Sequence, residues 1–150
     1  MTVTVMIQPA NQVDSDQVSE AIQAAIENAM RGSVQIVVND AKRSVARGPK
    51  TGRIYRRGNI THQASAPGEP PATDTGVLVN SIAGDVSKTA NGVVQGYVRA
   101  GAGYAGYLEF GTRKMAARPF LFPAVERNRA AIQQFLQRAI QTAAARFRTR

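Results

Sequence analysis

Between residues 15 and 46 apolar side chains return at three- and four-residue steps: Val18, Ile22, Ala25, Ala29, Ile36 or Val37, Ala41 and Val45. That spacing predicts a helix from about Ser15 to Ala46, with Asp14 or Ser15 capping its first N–H groups. Asp16 and Glu20 near its start and Lys42, Arg43 and Arg47 near its end carry the charges that suit the helix dipole. Gly32 interrupts the stripe at a cost of about 1 kcal/mol relative to Ala, so a bend or break is expected there. The run SVQIVV has the composition of a strand, but the helical stripe continues through it.

After Arg47 the period changes. RIYRR and ITHQA flank Gly58-Asn59, and Gly at the first central position fits a type II′ hairpin that would project Arg53, Arg56 and Arg57. The following APGEPPATDTG should be extended, because each proline pushes the residue before it toward β or polyproline geometry. An ordinary linker explains the same stretch. Leu78 and Ile82 then suggest a short amphipathic turn leading into a strand over Ala83 to Lys88. Asn91-Gly92 reads as a type I′ turn into VVQGYVRA, where Val94, Gly96 and Val98 share one face and Val93, Gln95, Tyr97 and Arg99 the other. GAGYAGYLEFGT reads as a loop with a helical turn at Tyr104 to Phe110, and Ala117 to Phe122 as a last edge strand. Pro123 opens a final helix, on which Val125, Ile132, Phe135, Leu136, Ala139, Ile140, Ala143 and Phe147 form one stripe.

These elements predict an α+β fold: a small, mainly antiparallel sheet packed by long N-terminal and C-terminal helices, with a protruding β-hairpin and Pro-rich loop over residues 47–76. The 150 residues are expected to form one domain, 1–150, large enough to bury its own core. No period of about 20 to 50 residues repeats, so a solenoid is not expected.

Composition narrows the function. The chain has no cysteine, which excludes a disulfide framework and a thiolate metal site. No apolar run approaches the roughly 18 residues of a membrane span, and the start MTVTVMIQPANQ lacks the pattern of a secretory signal, so a cytoplasmic origin is expected. The net charge of +9 is unevenly spread. Residues 41–58 hold Lys42, Arg43, Arg47, Lys50, Arg53, Arg56 and Arg57 with no acid, and residues 111–150 hold nine bases against Glu126. Such blocks face phosphate or an acidic partner, or they form a solvated surface.

Catalytic chemistry finds no support. His62 is the single histidine, set between Thr61 and Gln63, and it offers neither a multi-histidine metal site nor a triad. GAGYAG lacks the lysine and the strand-turn-helix setting of a phosphate-binding loop. An enzyme is not expected, nor any metal or cofactor. The aromatic residues Tyr104, Tyr107, Phe110, Phe120 and Phe122 have two readings: they complete the core, or they form a subunit or partner interface together with Glu109. Arg113, Lys114 and Arg118 beside them join Arg53, Arg56 and Arg57 as candidate DNA- or partner-facing bases.

Thr75, Gly76, Leu78, Ser81 and Ile82 spell Thr-Gly-x-Leu and Ser-Ile at the end of the Pro-containing loop. The Tyr104-Ala105 pair, Glu109 to Thr112 and Ala117 to Leu121 then spell Tyr-Ala, Glu-Phe-Gly-Thr and Ala-Arg-Pro-Phe-Leu before the last helix. In these motifs and their order the chain resembles the neck or tail-completion family of tailed bacteriophages, also described as minor tail components. The match spans most of residues 15–147 and departs at the hairpin from Gly52 to Gln63, which shorter members lack. The resemblance implies a structural virion protein at the head-to-tail junction, made in the bacterial cytoplasm and assembled as a ring, a hexamer in such proteins, around the DNA channel. It implies head-closure or connector proteins and tail-terminator or tail-tube proteins as neighbours, non-specific contact with genomic DNA, no membrane and no cofactor. Alternatives are a tail terminator in the same particle and a free basic nucleic-acid-binding protein.

Overall fold

A computed structural model describes residues 2–7 and 16–145. In chain order the elements are β1 (Thr2–Ile7), α1 (Asp16–Arg47), β2 (Ile54–Arg57), β3 (Ile60–Gln63), α2 (Val77–Ser81), β4 (Ile82–Lys88), β5 (Val94–Ala100), α3 (Ala105–Phe110) and α4 (Leu121–Ala145). Strands β1, β5 and β4 form a three-stranded antiparallel sheet in that spatial order, and β2 and β3 form a separate two-stranded ribbon. The architecture is the expected α+β arrangement.

α1 is one unbroken helix of 32 residues, running through both SVQIVV and Gly32. Gly32 does not break the helix. A Cβ there would stand 2.8 Å from the Phe135 ring of α4, so Gly32 lets the two helices approach closely. The buried side of α1 reads Ile26, Ala29, Met30, Ser33, Val34, Val37, Val38, Ala41 and Val45, a denser stripe than the spacing alone suggested. Ile36 is exposed and Val37 buried, which settles the ambiguity between them. Ser33 enters this apolar layer because its hydroxyl donates to the Ala29 carbonyl. The expected caps Asp14 and Ser15, and Phe147 at the far end of the C-terminal stripe, lie outside the described residues.

The sheet meets α1 through β4 and β5. On β5, Val94, Gly96, Val98 and Ala100 are buried while Gln95, Tyr97 and Arg99 face outward, the alternation read from the sequence. α4 runs antiparallel to α1, buries Leu121, Ala124, Val125, Ile132, Leu136 and Ala143, and leaves Phe135 half exposed. Asp40 of α1 fastens the pair by accepting from Arg127 Nε at 3.1 Å and from Asn128 at 3.0 Å.

Three local readings change. β1, which the alternation in TVTVMI carries, pairs with β5 from Thr2↔Arg99 to Ile7↔Val94 and adds a strand to the expected sheet. At Asn91-Gly92 the connection is not a two-residue turn. The Gly92 N–H donates to the Thr89 carbonyl and the Thr89 N–H to the Val93 carbonyl, closing a three-residue loop with Gly92 at φ +77°. Finally, Ala117 to Phe122 is not a strand: its first residues are irregular and Leu121 already begins α4, which places Pro123 inside the first turn rather than at its start.

Candidate interaction surface

The last of these corrections has its cause in a single carboxylate. Helices begin with about four N–H groups that have no intrahelical partner. Here Glu109 of α3 accepts from Phe120 N at 2.8 Å and Leu121 N at 3.1 Å through one oxygen, and from Phe122 N at 2.8 Å through the other. The next residue is Pro123, which has no N–H to satisfy. Glu109 is only 4% exposed, so its negative end is held by backbone donors and the positive pole of α4, not by a basic side chain. Among the described residues no basic side chain pairs with it.

This bond fixes the six-residue α3 against the body and decides what it displays. Tyr104, Tyr107 and Phe110 follow one another at three-residue steps and therefore share a face. They are 45%, 62% and 74% exposed. Phe122, at the other end of the Glu109 cap, is also exposed, as is Val77. Large aromatic residues displayed together by an anchored turn make this face the candidate interaction surface.

Beside this ridge lies a groove of about 500 Å³ walled by the ribbon (Tyr55, Arg57), the Pro-rich loop (Pro71, Asp74) and the segment after α3 (Met115, Arg118). The loop that forms its middle wall is tied down along its length. Thr73 donates to the Val45 carbonyl, Gly68 N to the Ala117 carbonyl, and Arg118 reaches the Ser65 carbonyl from both Nε and Nη2. The linker reading fails on these bonds. Glu69 closes the base by accepting from the Thr51 hydroxyl at 2.6 Å, the Thr51 N–H at 3.0 Å and the Ala66 N–H at 2.7 Å.

Those three donors, led by the Thr51 hydroxyl, hold the Glu69 carboxyl below its ordinary 4.5, with burial opposing weakly. A carboxyl depressed in the fold supports it above the unfolded value and loses that support as pH falls through the folded one. Amide exchange at Thr51 and Ala66 should therefore stay slow at neutral pH and accelerate beyond the intrinsic trend only below 4.5. Glu69→Gln should show fast exchange at every pH; equal protection in that variant would remove the clamp from the account.

The ribbon projects as expected. Gly58 takes φ +62° at its turn, and Ile54↔Gln63 to Arg57↔Ile60 pair across it. All its side chains are exposed except that of His62, which is half buried. Tyr55 stacks on His62 with ring centroids 5.7 Å apart, and Asp74 binds Arg57 at 2.5 Å with His62 Nε2 at 3.4 Å. One face of the ribbon is thus latched to the Pro-rich loop.

The candidate residues separate by use. Tyr104, Tyr107 and Phe110 are at the surface, but Phe120 is fully buried and Glu109 is the helix cap, so these two serve the fold from inside. Among the bases, Arg53, Arg56, Arg113 and Lys114 are exposed with no ion pair among the described residues. Arg57 is paired with Asp74, and Arg118 is half buried and spent on the Ser65 carbonyl. Among the described residues no group of three or more His, Cys, Asp or Glu is placed to hold a metal, and no helix is long and apolar enough to cross a membrane.

A family model described as "Bacteriophage HK97-gp10, putative tail-component" matches residues 11–111. That span covers α1, the ribbon, the Pro-rich loop, β4, β5 and α3, and ends before Ala117 to Leu121 and α4. No curated protein and no solved structure matches the chain.

Proposed function

The chain belongs to the HK97-gp10-like family of bacteriophage tail components, and we propose that it is a single-domain structural protein of the head-to-tail junction. Copies assemble as a ring, six by resemblance, around the DNA channel. The ring joins tail to head between head-closure or connector proteins on one side and tail-terminator or tail-tube proteins on the other. It performs no turnover; its work is placement.

The observation that carries this reading is the aromatic ridge of Tyr104, Tyr107 and Phe110, exposed yet held rigidly by the Glu109 cap. Rigid aromatics supply contact area at low entropic cost and dominate interface energetics. The free edge of β4, which has no strand beyond it among the described residues, offers a second contact between copies.

Tyr107→Ala together with Phe110→Ala tests it. Both side chains are exposed, so the isolated protein should keep its fold by circular dichroism. Phage carrying the pair should accumulate separate heads and tails. Normal joining by a folded double variant would show that this ridge is not the interface. A tail terminator one layer lower would share this architecture, and cross-linking of intact particles identifies which neighbours the protein touches.

A further inference from the structure

The net charge of +9 constrains what the ribbon can bind. Each copy carries 19 bases against 10 acids, so an assembly of copies keeps a net positive charge that its own acids do not cancel. Assembly through the aromatic ridge makes this worse with every added subunit. The surplus is concentrated where the fold spends least of it. Of the seven bases from Lys42 to Arg57, Arg57 has an acidic partner, while Lys50, Arg53 and Arg56 have none among the described residues.

The ribbon is also built as a fixed support. Ala64 N bonds the Arg53 carbonyl and Gly52 N the Ala64 carbonyl, extending the β2–β3 ladder to its base. The Asp74 latch and the Glu69 clamp tie the ribbon and its base to the Pro-rich loop, which the Thr73, Gly68 and Ser65 bonds fasten to Val45, Ala117 and Arg118. In a strand, alternate residues share a face, so Arg56 stands with Ile54 on the side away from the latched Tyr55 and Arg57. Thr61, directly across from Arg56, adds a hydroxyl donor. The amide that would suit base reading, Gln63, is spent on the Gly52 carbonyl.

We propose that Lys50, Arg53 and Arg56 bind the phosphate backbone of duplex DNA without reading its sequence. The guanidinium groups of Arg53 and Arg56, on opposite faces of the ribbon, and the ammonium of Lys50 near its base, all without an acidic partner among the described residues, match a uniform polyanion. A two-stranded ribbon is also narrow enough to follow a major groove. An acidic protein surface is the competing partner, and the test below separates the two. The inference rests on the junction reading for its biological setting, but its experiment needs only the purified chain.

Binding of the full-length protein to short labelled duplexes of two unrelated sequences should be equal and should weaken steeply with salt. Replacing Lys50, Arg53 and Arg56 together by Gln should flatten the plot of log affinity against log salt by about 2.7, at ~0.9 per phosphate contact. Arg57→Gln, whose guanidinium already faces Asp74, should flatten it by well under about 1. An unchanged slope in the triple variant overturns the proposal, as does a sequence preference between the duplexes. Competition by polyglutamate as effective as that by unlabelled duplex overturns it in favour of an acidic protein. Normal head-to-tail joining by the ridge variants, the outcome that sinks the ridge as the interface, leaves all these slopes untouched, so the two proposals fail separately.

Discussion

Glu109→Ala should cost about 4 kcal/mol of unfolding free energy, a large part of the roughly 5–15 kcal/mol that holds an ordinary domain. The substitution strands three backbone donors at the start of α4, each worth about 1–3 kcal/mol when buried without a partner. Phe120 and Leu121, which carry two of them, are fully buried, so water cannot replace the lost oxygens. The donor on Phe122 lies nearer the surface and should be partly rescued by solvent. The positive pole of a 25-residue helix also loses its counter-charge.

Glu109→Gln should cost about half as much, since an amide offers one acceptor oxygen and turns an N–H₂ toward the remaining donor. At ~3 °C per kcal/mol for a domain of this size, the alanine variant should melt about 12 °C lower. Urea unfolding with unchanged m-value checks both numbers. A loss under about 1 kcal/mol for Glu109→Ala would mean that α4 starts without this cap. The same variant should loosen α3, and with it the ridge of Tyr104, Tyr107 and Phe110, because the carboxylate is the bond between α3 and α4.

That cap also shows where sequence reasoning stops. The long helices were legible because their stripes repeat over many turns, and the ribbon because Gly58 at a turn has few other uses. Tyr104, Tyr107 and Phe110 were legible as a set because three-residue spacing places them together whatever lies beneath. The stretch Ala117 to Phe122 was not, since a short apolar run suits a strand or a buried helix start equally. Its state is decided by Glu109, eleven residues from Phe120 and without a local signature. Charge gave the basic face as a class but not its members: Arg118 and Arg53 look alike in sequence, and only the Ser65 carbonyl distinguishes them. Phe120 and Phe110 likewise differ only in what the fold puts over them.

Glycines inside strands carry the remaining unread signal, and Gly96→Val tests it. On β5 a Cβ at position 96 would stand 2.7 Å from Val34 Cγ2 and 2.8 Å from Met30 Sδ, both on the buried side of α1. On β4 a Cβ at Gly84 would stand 2.3 Å from Val34 Cγ1 and 2.9 Å from Val38 Cγ2. The two glycines therefore form a hollow into which Val34 fits, and they set how closely α1 lies on the sheet. Met30 can swing its thioether aside, but Val34 is β-branched on a helix and has essentially one rotamer. Overpacking of this kind costs about 1–3 kcal/mol, and Gly96→Val should sit at ~3 because β5 is the central strand and cannot move away. Gly84→Val should cost less despite the shorter contact, since β4 is an edge strand with room to shift. Val34→Ala removes both offending methyls, so Gly96→Val with Val34→Ala should be more stable than the sum of the single losses predicts, by about 1–2 kcal/mol of coupling. Strict additivity across that cycle would show that Val34 does not set the distance between helix and sheet.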